Sequence, residues 1–577
     1  MRMKRAIIIP VLFLQIAAFA QDLNPTVTVT NTYEGEASGI VKPAQVLSIP
    51  DSVSRFTLNF DYSVFESPYM GSYEFKPYSV QLRPRNDFER DGLLYVKAGA
   101  GYTLHPDLHV VYTPISRPKM ALSLFADHES YIGNYWNFKL DGTDNGFVIK
   151  RDPTNRTTQG GRVGNSDLGA RLRYSWGSGE LNTMTAWENL FSAIDRGGKF
   201  GHLANIFDFQ TSVKSIESPL DYDAVLSVRT GADKYRYVTA TGINATEVNF
   251  NGSIGTIRVG LNNLSIGADV AMQFLRGDAD AYSGFFAFIP RDEFWLGDWH
   301  FDVGFRLSAL FSGDDTATPL LGETTHQAMF TRQGQWIYPR VLVTKSLAGG
   351  RYFFDAGVTG GEKYGSYLDF VKEHPFLSSR SVVGPYLDNT IEKLNIFAGI
   401  RGSITDRLEF RLKGGYRMVD NELMWKVEDG GVSMIVDRRP HLGYCSYNQA
   451  YSALDMEWLR DPFSAKVGVE AAYSWLRSDG TYFAPPVLRG KSEFKYHWGD
   501  RIRAGIRGDW QTSRKAEMVG EVKIPGWCDL GLFGEFQWRR DLGFWLEAGN
   551  LLNMTIMTDP FIAQRGISVT AGVIFKL

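Results

Sequence analysis

His105, His109 and His128 stand near one another in the chain. Histidine is the side chain best suited to hold a metal or move a proton near neutral pH. On neighbouring strands the three would gather at a rim. No Ser/His/acid or Asp/His set of the required spacing accompanies them, and the other histidines are scattered. The stretch LDGTDNGF (140–147) mixes carboxylates and glycine like a calcium loop but lacks the distal Glu that completes such a shell. Cys445 and Cys528 have no ligand at zinc spacing. No enzyme activity, metal or organic cofactor is expected.

The other candidate chemistry is charge. Arg401, Arg407, Arg411, Lys413 and Arg417 are followed by Arg489, Lys491, Lys495, Arg501, Arg503 and Arg507. Glu409, Asp455, Glu457, Glu470, Glu493 and Asp509 answer them. On one face of a sheet, such residues form either a basic wall that attracts anions or a set of cross-strand ion pairs that stabilise a wet interior. The net charge of -3 shows no bulk excess for nucleic acid.

The elements that would position these charges alternate with period two. In 463–475, Phe463, Ala465, Val467, Val469, Ala471, Tyr473 and Trp475 share a face opposite Ser464, Lys466, Gly468 and Glu470. In 407–418, Leu408, Phe410, Leu412, Tyr416 and Met418 oppose Arg407, Glu409, Arg411, Lys413 and Arg417. Such strands need water on one face and an apolar medium on the other.

The connections choose the medium. Tight turns at 539–542, 497–501, 459–463, 404–407, 346–350 and 176–179 alternate with long loops at 550–565, 514–524, 477–485, 419–447, 361–392, 312–333 and 128–166. Sorting by parity is the pattern of an outer-membrane barrel, with short periplasmic turns and long external loops. About 22 strands are expected, an all-β transmembrane antiparallel β-barrel. Trp458, Trp475, Trp498, Trp510 and Trp538 fall at strand ends, where an interfacial girdle would lie. The chain closes on GISVTAGVIFKL, with Phe575 and Leu577 on the apolar face. Since a closed barrel has no free edge, this strand should pair with the first, near 93–104.

Residues 1–20 have a basic start, an apolar run and small residues at Ala18 and Ala20, the layout of a secretory signal. Residues 21–92 interleave Pro with Phe56, Phe60, Tyr62, Phe65, Tyr69, Tyr73, Phe75 and Tyr78, and are read as a periplasmic or luminal leader. The barrel spans 93–577. Cys445 and Cys528 would lie about four strands apart, on the order of 20 Å at the usual strand spacing, and are expected as free thiols.

The segment LEAGNLLNMTIMTDPFIAQRGISVTAGVIFKL resembles the end of TonB-dependent receptor barrels through Asn550, Leu551, Leu552, Asn553 and Gly566. The resemblance implies an outer-membrane location and passage or binding of solutes. Receptors of that family carry a large amino-terminal plug inside the barrel, for which 21–92 is too short. The expectation is therefore a plug-less relative. Its partners would be outer-membrane lipid and an envelope protein met at the leader or the external loops. The alternative is an accessory or scaffold barrel in a membrane complex.

Overall fold

The computed structural model describes residues 93–577 apart from 103–104, 136–137, 144–145, 152–158, 196–198, 237–239, 278–279, 315–336, 376–387, 428–440, 559–565 and short breaks at 219, 261, 479–480, 500 and 519. The expected signal and leader lie outside the described residues.

The described chain forms a closed barrel of 22 antiparallel strands, each hydrogen-bonded to its neighbours in sequence. Strand Leu94–Gly101 pairs with Ser568–Lys576, with Gly99 opposite Gly572, as the apolar final strand demands. Leu577 takes part as well: its N–H donates to the Leu94 carbonyl at 2.8 Å, and its carbonyl accepts from Leu94 N–H at 3.1 Å. The barrel sheet therefore has no free edge.

The outer face carries the apolar residues expected of it. Leu412, Tyr416, Tyr473, Trp475, Phe494, Ile506, Val569 and Val573 are all exposed to the surroundings. Trp498 and Trp538 stand at the short-turn end, 69% and 52% exposed, and Arg539 lies over the Trp538 ring. Trp475 marks the other end of the belt, while Trp458 stacks on Phe463. A bilayer, not water, is the medium such a surface suits.

Several strands exceed the bilayer. Ala240–Val259, Leu408–Val427 and His441–Arg460 run for 20 residues, where about 9–11 suffice to cross. The excess lies at the long-loop end. In Ala240–Val259 the outward residues change from Val248, Phe250, Ile254 and Ile257 to Gly242, Asn244 and Thr246. Above the belt the loops fold on each other. Phe138–Thr143, Gly146–Arg151, Arg514–Met518 and Gly520–Ile524 make a four-stranded sheet, in which Glu521–Lys523 run parallel to Gly146–Val148. Two loops rooted far apart on the barrel are thereby joined. Leu140–Thr143 of LDGTDNGF pair antiparallel with Gly146–Ile149 in this sheet.

Candidate functional site in the barrel lumen

The loop after strand Tyr352–Lys363 turns inward and forms the helix Tyr367–Glu373. Its sequence explains it. Ser366 is a capping residue whose hydroxyl accepts the Asp369 N–H at 3.0 Å. Tyr367, Leu368, Phe370 and Val371 are buried. They pack into one cluster with Ile206, Ala245 and Leu275 of the barrel wall, Ile149, Val522 and Ile524 of the loop sheet, and Trp425, Phe483 and Met557 of three further loops or strand ends. Burying Leu368 alone contributes about 2 kcal/mol.

Polar side chains of the wall hold the same helix. Asp208, Arg229, Glu247, Gln273 and Ser283 are successive partners across five strands and share the inner face. Glu247, fully buried, accepts the Ser366 hydroxyl at 2.9 Å and the Leu368 N–H at 3.0 Å. Gln273 accepts the Tyr367 N–H at 3.3 Å. Arg229 donates to Asp369 at 2.7 Å and to Glu247 at 3.4 Å. Asp233 accepts from the Tyr367 hydroxyl and hydrogen-bonds His202, both at 2.8 Å. Lys372 lies 2.6 Å from Glu188. The sequence places this segment within the long loop 361–392. The signal was present in Ser366–Asp369 and the apolar spacing after it, but nothing local names the wall residues.

A second buried group lies beside it. Arg306 donates to Glu362 at 2.8 Å and pairs with Asp269 at 2.9 Å, and Ser308 donates to the same Glu362 oxygen at 2.9 Å. Tyr338 is directly opposite Arg306 and is fully buried.

The charges singled out from sequence divide as follows. Arg401 makes two hydrogen bonds to Asp355, at 2.6 and 3.2 Å, with its guanidinium 4.9 Å from the Phe353 ring. Lys413 lies 3.8 Å over Phe397. Arg417 donates to Gln449 at 2.7 Å and faces Tyr451. Arg411 is opposite Arg401 on one side and Asp455 on the other. Glu409 is opposite Glu457, which pairs with Lys466 at 3.1 Å. Arg489 pairs with Glu470 at 2.6 Å, Lys495 with Glu493 at 2.7 Å and Arg503 with Glu535 at 3.8 Å. Arg507 pairs with Glu547, and Lys491 is opposite Asp509. Arg407 and Arg501 sit in tight turns outside the strands. Most of these strand-borne charges have an acid within reach.

The histidines do not converge. His105 and His109 face inward, near Glu129 and Asp127, whereas His128 is opposite outward Leu108 and bonds Ser166 at 2.7 Å. Among the described residues no three His, Cys, Asp or Glu side chains are grouped to hold a metal. Cys445 is buried, Cys528 half-buried, and both are free thiols.

Comparison with known proteins agrees with this architecture. The FrpB iron transporter from Neisseria meningitidis (F3-3 variant) superposes with a TM-score of 0.58 at 10% identity, over 85% of this chain and 82% of that one. The siderophore receptor PirA from Acinetobacter baumannii gives 0.58 at 10% identity, over 84% and 80%. The copper transporter OprC gives 0.57 at 12%, over 84% and 80%. No family model matches the chain, and no curated protein matches it in sequence. At these identities the likeness is one of fold, and it is a likeness over most of each chain. The protein has the fold of a transmembrane β-barrel, and in fold it resembles the barrel domain of TonB-dependent receptors.

Proposed function

We propose that this barrel passes or binds solutes across the outer membrane as a plug-less relative of TonB-dependent receptors, with its own external loops serving as the closure. The observation that carries the reading is the helix Tyr367–Glu373, held on the inner wall by Glu247, Gln273 and Arg229. A barrel of about 22 strands is wider than those of 16–18 strands that already leave an aqueous channel, so it needs an occupant. A docked loop is one that can leave. Residues 21–92, if they lie in the lumen, would add to the closure from the periplasmic side. The ion-paired inner wall suits a wet lumen more than a packed core. The structurally similar barrels are named as iron and copper transporters and a siderophore receptor.

The test is conductance in planar bilayers with three chains: full length, residues 364–387 replaced by a short Gly-Ser linker, and residues 25–90 deleted behind the intact signal. Solute passage requires at least one deletion to raise the current above that of the full-length chain. Silence in all three refutes passage, and silence together with no saturable solute binding leaves the alternative, an accessory barrel in an envelope complex. That alternative draws on the buried loop cluster, which would give a partner a firm external platform.

A further inference from the structure

We propose that the inner face of strands His202–Ser215, Asp221–Arg236, Ala240–Val259 and Asn262–Gly277 is a binding site for a short peptide, and that Ser366–Lys372 of the chain's own loop is its displaceable occupant. The inference rests on the solute-passage reading and deepens it by naming the class of solute.

The wall treats the loop as a peptide groove treats its ligand. Two consecutive backbone N–H groups, of Tyr367 and Leu368, donate to Gln273 and Glu247. The Leu368 side chain enters an apolar pocket, and Gly231 leaves the room: a Cβ there would stand 2.8 Å from Leu368 Cδ2. Arg229 reads the acid at the next position. Acceptors for successive main-chain donors, a pocket for one side chain and a charge for its neighbour together select a polypeptide. A metal chelate or a simple anion would use neither the N–H acceptors nor the apolar pocket.

The occupant also fits imperfectly. Among the described residues, Glu188 Oε1 and Asp233 Oδ1 have no hydrogen-bond partner, on side chains 6% and 0% exposed. A buried acceptor left open is costly. A peptide that brings donors to both oxygens would complement this wall better than the resident loop does. The loop holds its place through its tether, which raises its local concentration without adding a contact.

Replacing residues 364–375 by a Gly-Ser linker of equal length should therefore open the site to peptide in solution. The probe is fluorescein-labelled SYLDFVKE, the resident sequence 366–373, read by anisotropy on purified full-length barrel whose gel mobility changes on heating. Saturable binding about tenfold tighter than to the unmodified chain is expected, because the tethered competitor is gone. Unlabelled peptide should compete, the reversed sequence should not, and Glu247→Gln in the same background should weaken binding about tenfold. Equal binding to both chains, or no saturable binding to the linker chain, overturns the proposal. Should the linker chain not fold, Leu368→Glu with Asp369→Lys unseats the loop by charge, and the same titration decides. Peptide binding without any current keeps the site and removes passage. Current without peptide binding does the reverse.

Discussion

Arg229 Nη1 lies 2.7 Å from Asp369 Oδ1, although the two residues are 140 positions apart, one on a barrel strand and one on the docked helix. The same guanidinium faces Glu247 at 3.4 Å. One cation thus serves a fully buried carboxylate of the wall and a carboxylate of the loop that is 54% exposed.

This asymmetry makes the first prediction. Arg229→Ala leaves Glu247 buried beside the helix without its cation and should cost about 3 kcal/mol. Asp369→Ala removes a largely solvated partner and should cost less than about 1 kcal/mol. Denaturant unfolding in detergent, with amide exchange at 366–374 as the local reading, checks the ranking. Equal losses would mean that the wall does not anchor the loop as described.

The barrel seam offers a second. The Trp545 indole lies over Gly99 and Gly572, which face each other across the closing pair, and the Lys97 ammonium sits 4.2 Å from its ring. A Cβ at Gly99 would collide with this ring and stand 2.7 Å from the Ala571 carbonyl oxygen, so the strands could not keep their register. Gly99→Val and Gly572→Val should each destabilise closure by roughly 1–3 kcal/mol or more. The reading is the fraction of protein that runs as the fast, unboiled species on a denaturing gel. Unchanged mobility in both variants would contradict the seam.

Asp388, just beyond the docked loop, sets a pH dependence. It accepts Asn389 N–H at 2.8 Å and Asn421 Nδ2 at 3.1 Å, and burial nonetheless pushes its carboxyl up to about 6. A folded-state value above the unfolded one means the native state holds the proton longer, so stability falls as pH rises between about 4 and 6. Amide protection around 388–392 and 419–423, corrected for intrinsic exchange, should decline across that window and level off above it. Asp388→Asn should flatten the decline. A profile in the opposite direction would exclude Asp388 as its source.

Topology gives the fourth. Epitope tags inserted within 428–440 should be reached by antibody on intact cells, and tags at 404–407 or 459–462 only after the outer membrane is opened. Labelling of opposite polarity would invert the barrel and remove the external loop closure with it.

What the sequence determines here is whatever repeats locally. Side-chain alternation fixes which face of each strand meets lipid, since a strand's residues point to opposite sides in turn. Loop length sorted by parity fixes the two ends. The apolar final strand could be assigned to the seam because a closed sheet permits no other place for it. The same alternation puts the charges from Arg401 to Arg507 on the inner face as an expectation, while Arg407 and Arg501 lie in the turns 404–407 and 497–501. The closed tertiary structure alone decided which loops meet. Glu247 lies 119 positions from Ser366, and nothing in either neighbourhood marks the other. The curvature of a closed barrel brings wall strands opposite a returning loop, and the parallel pairing of 521–523 with 146–148 arises in the same way. A contact set by the circumference of a closed sheet leaves no periodic trace along the chain, so it becomes visible only when the sheet has closed.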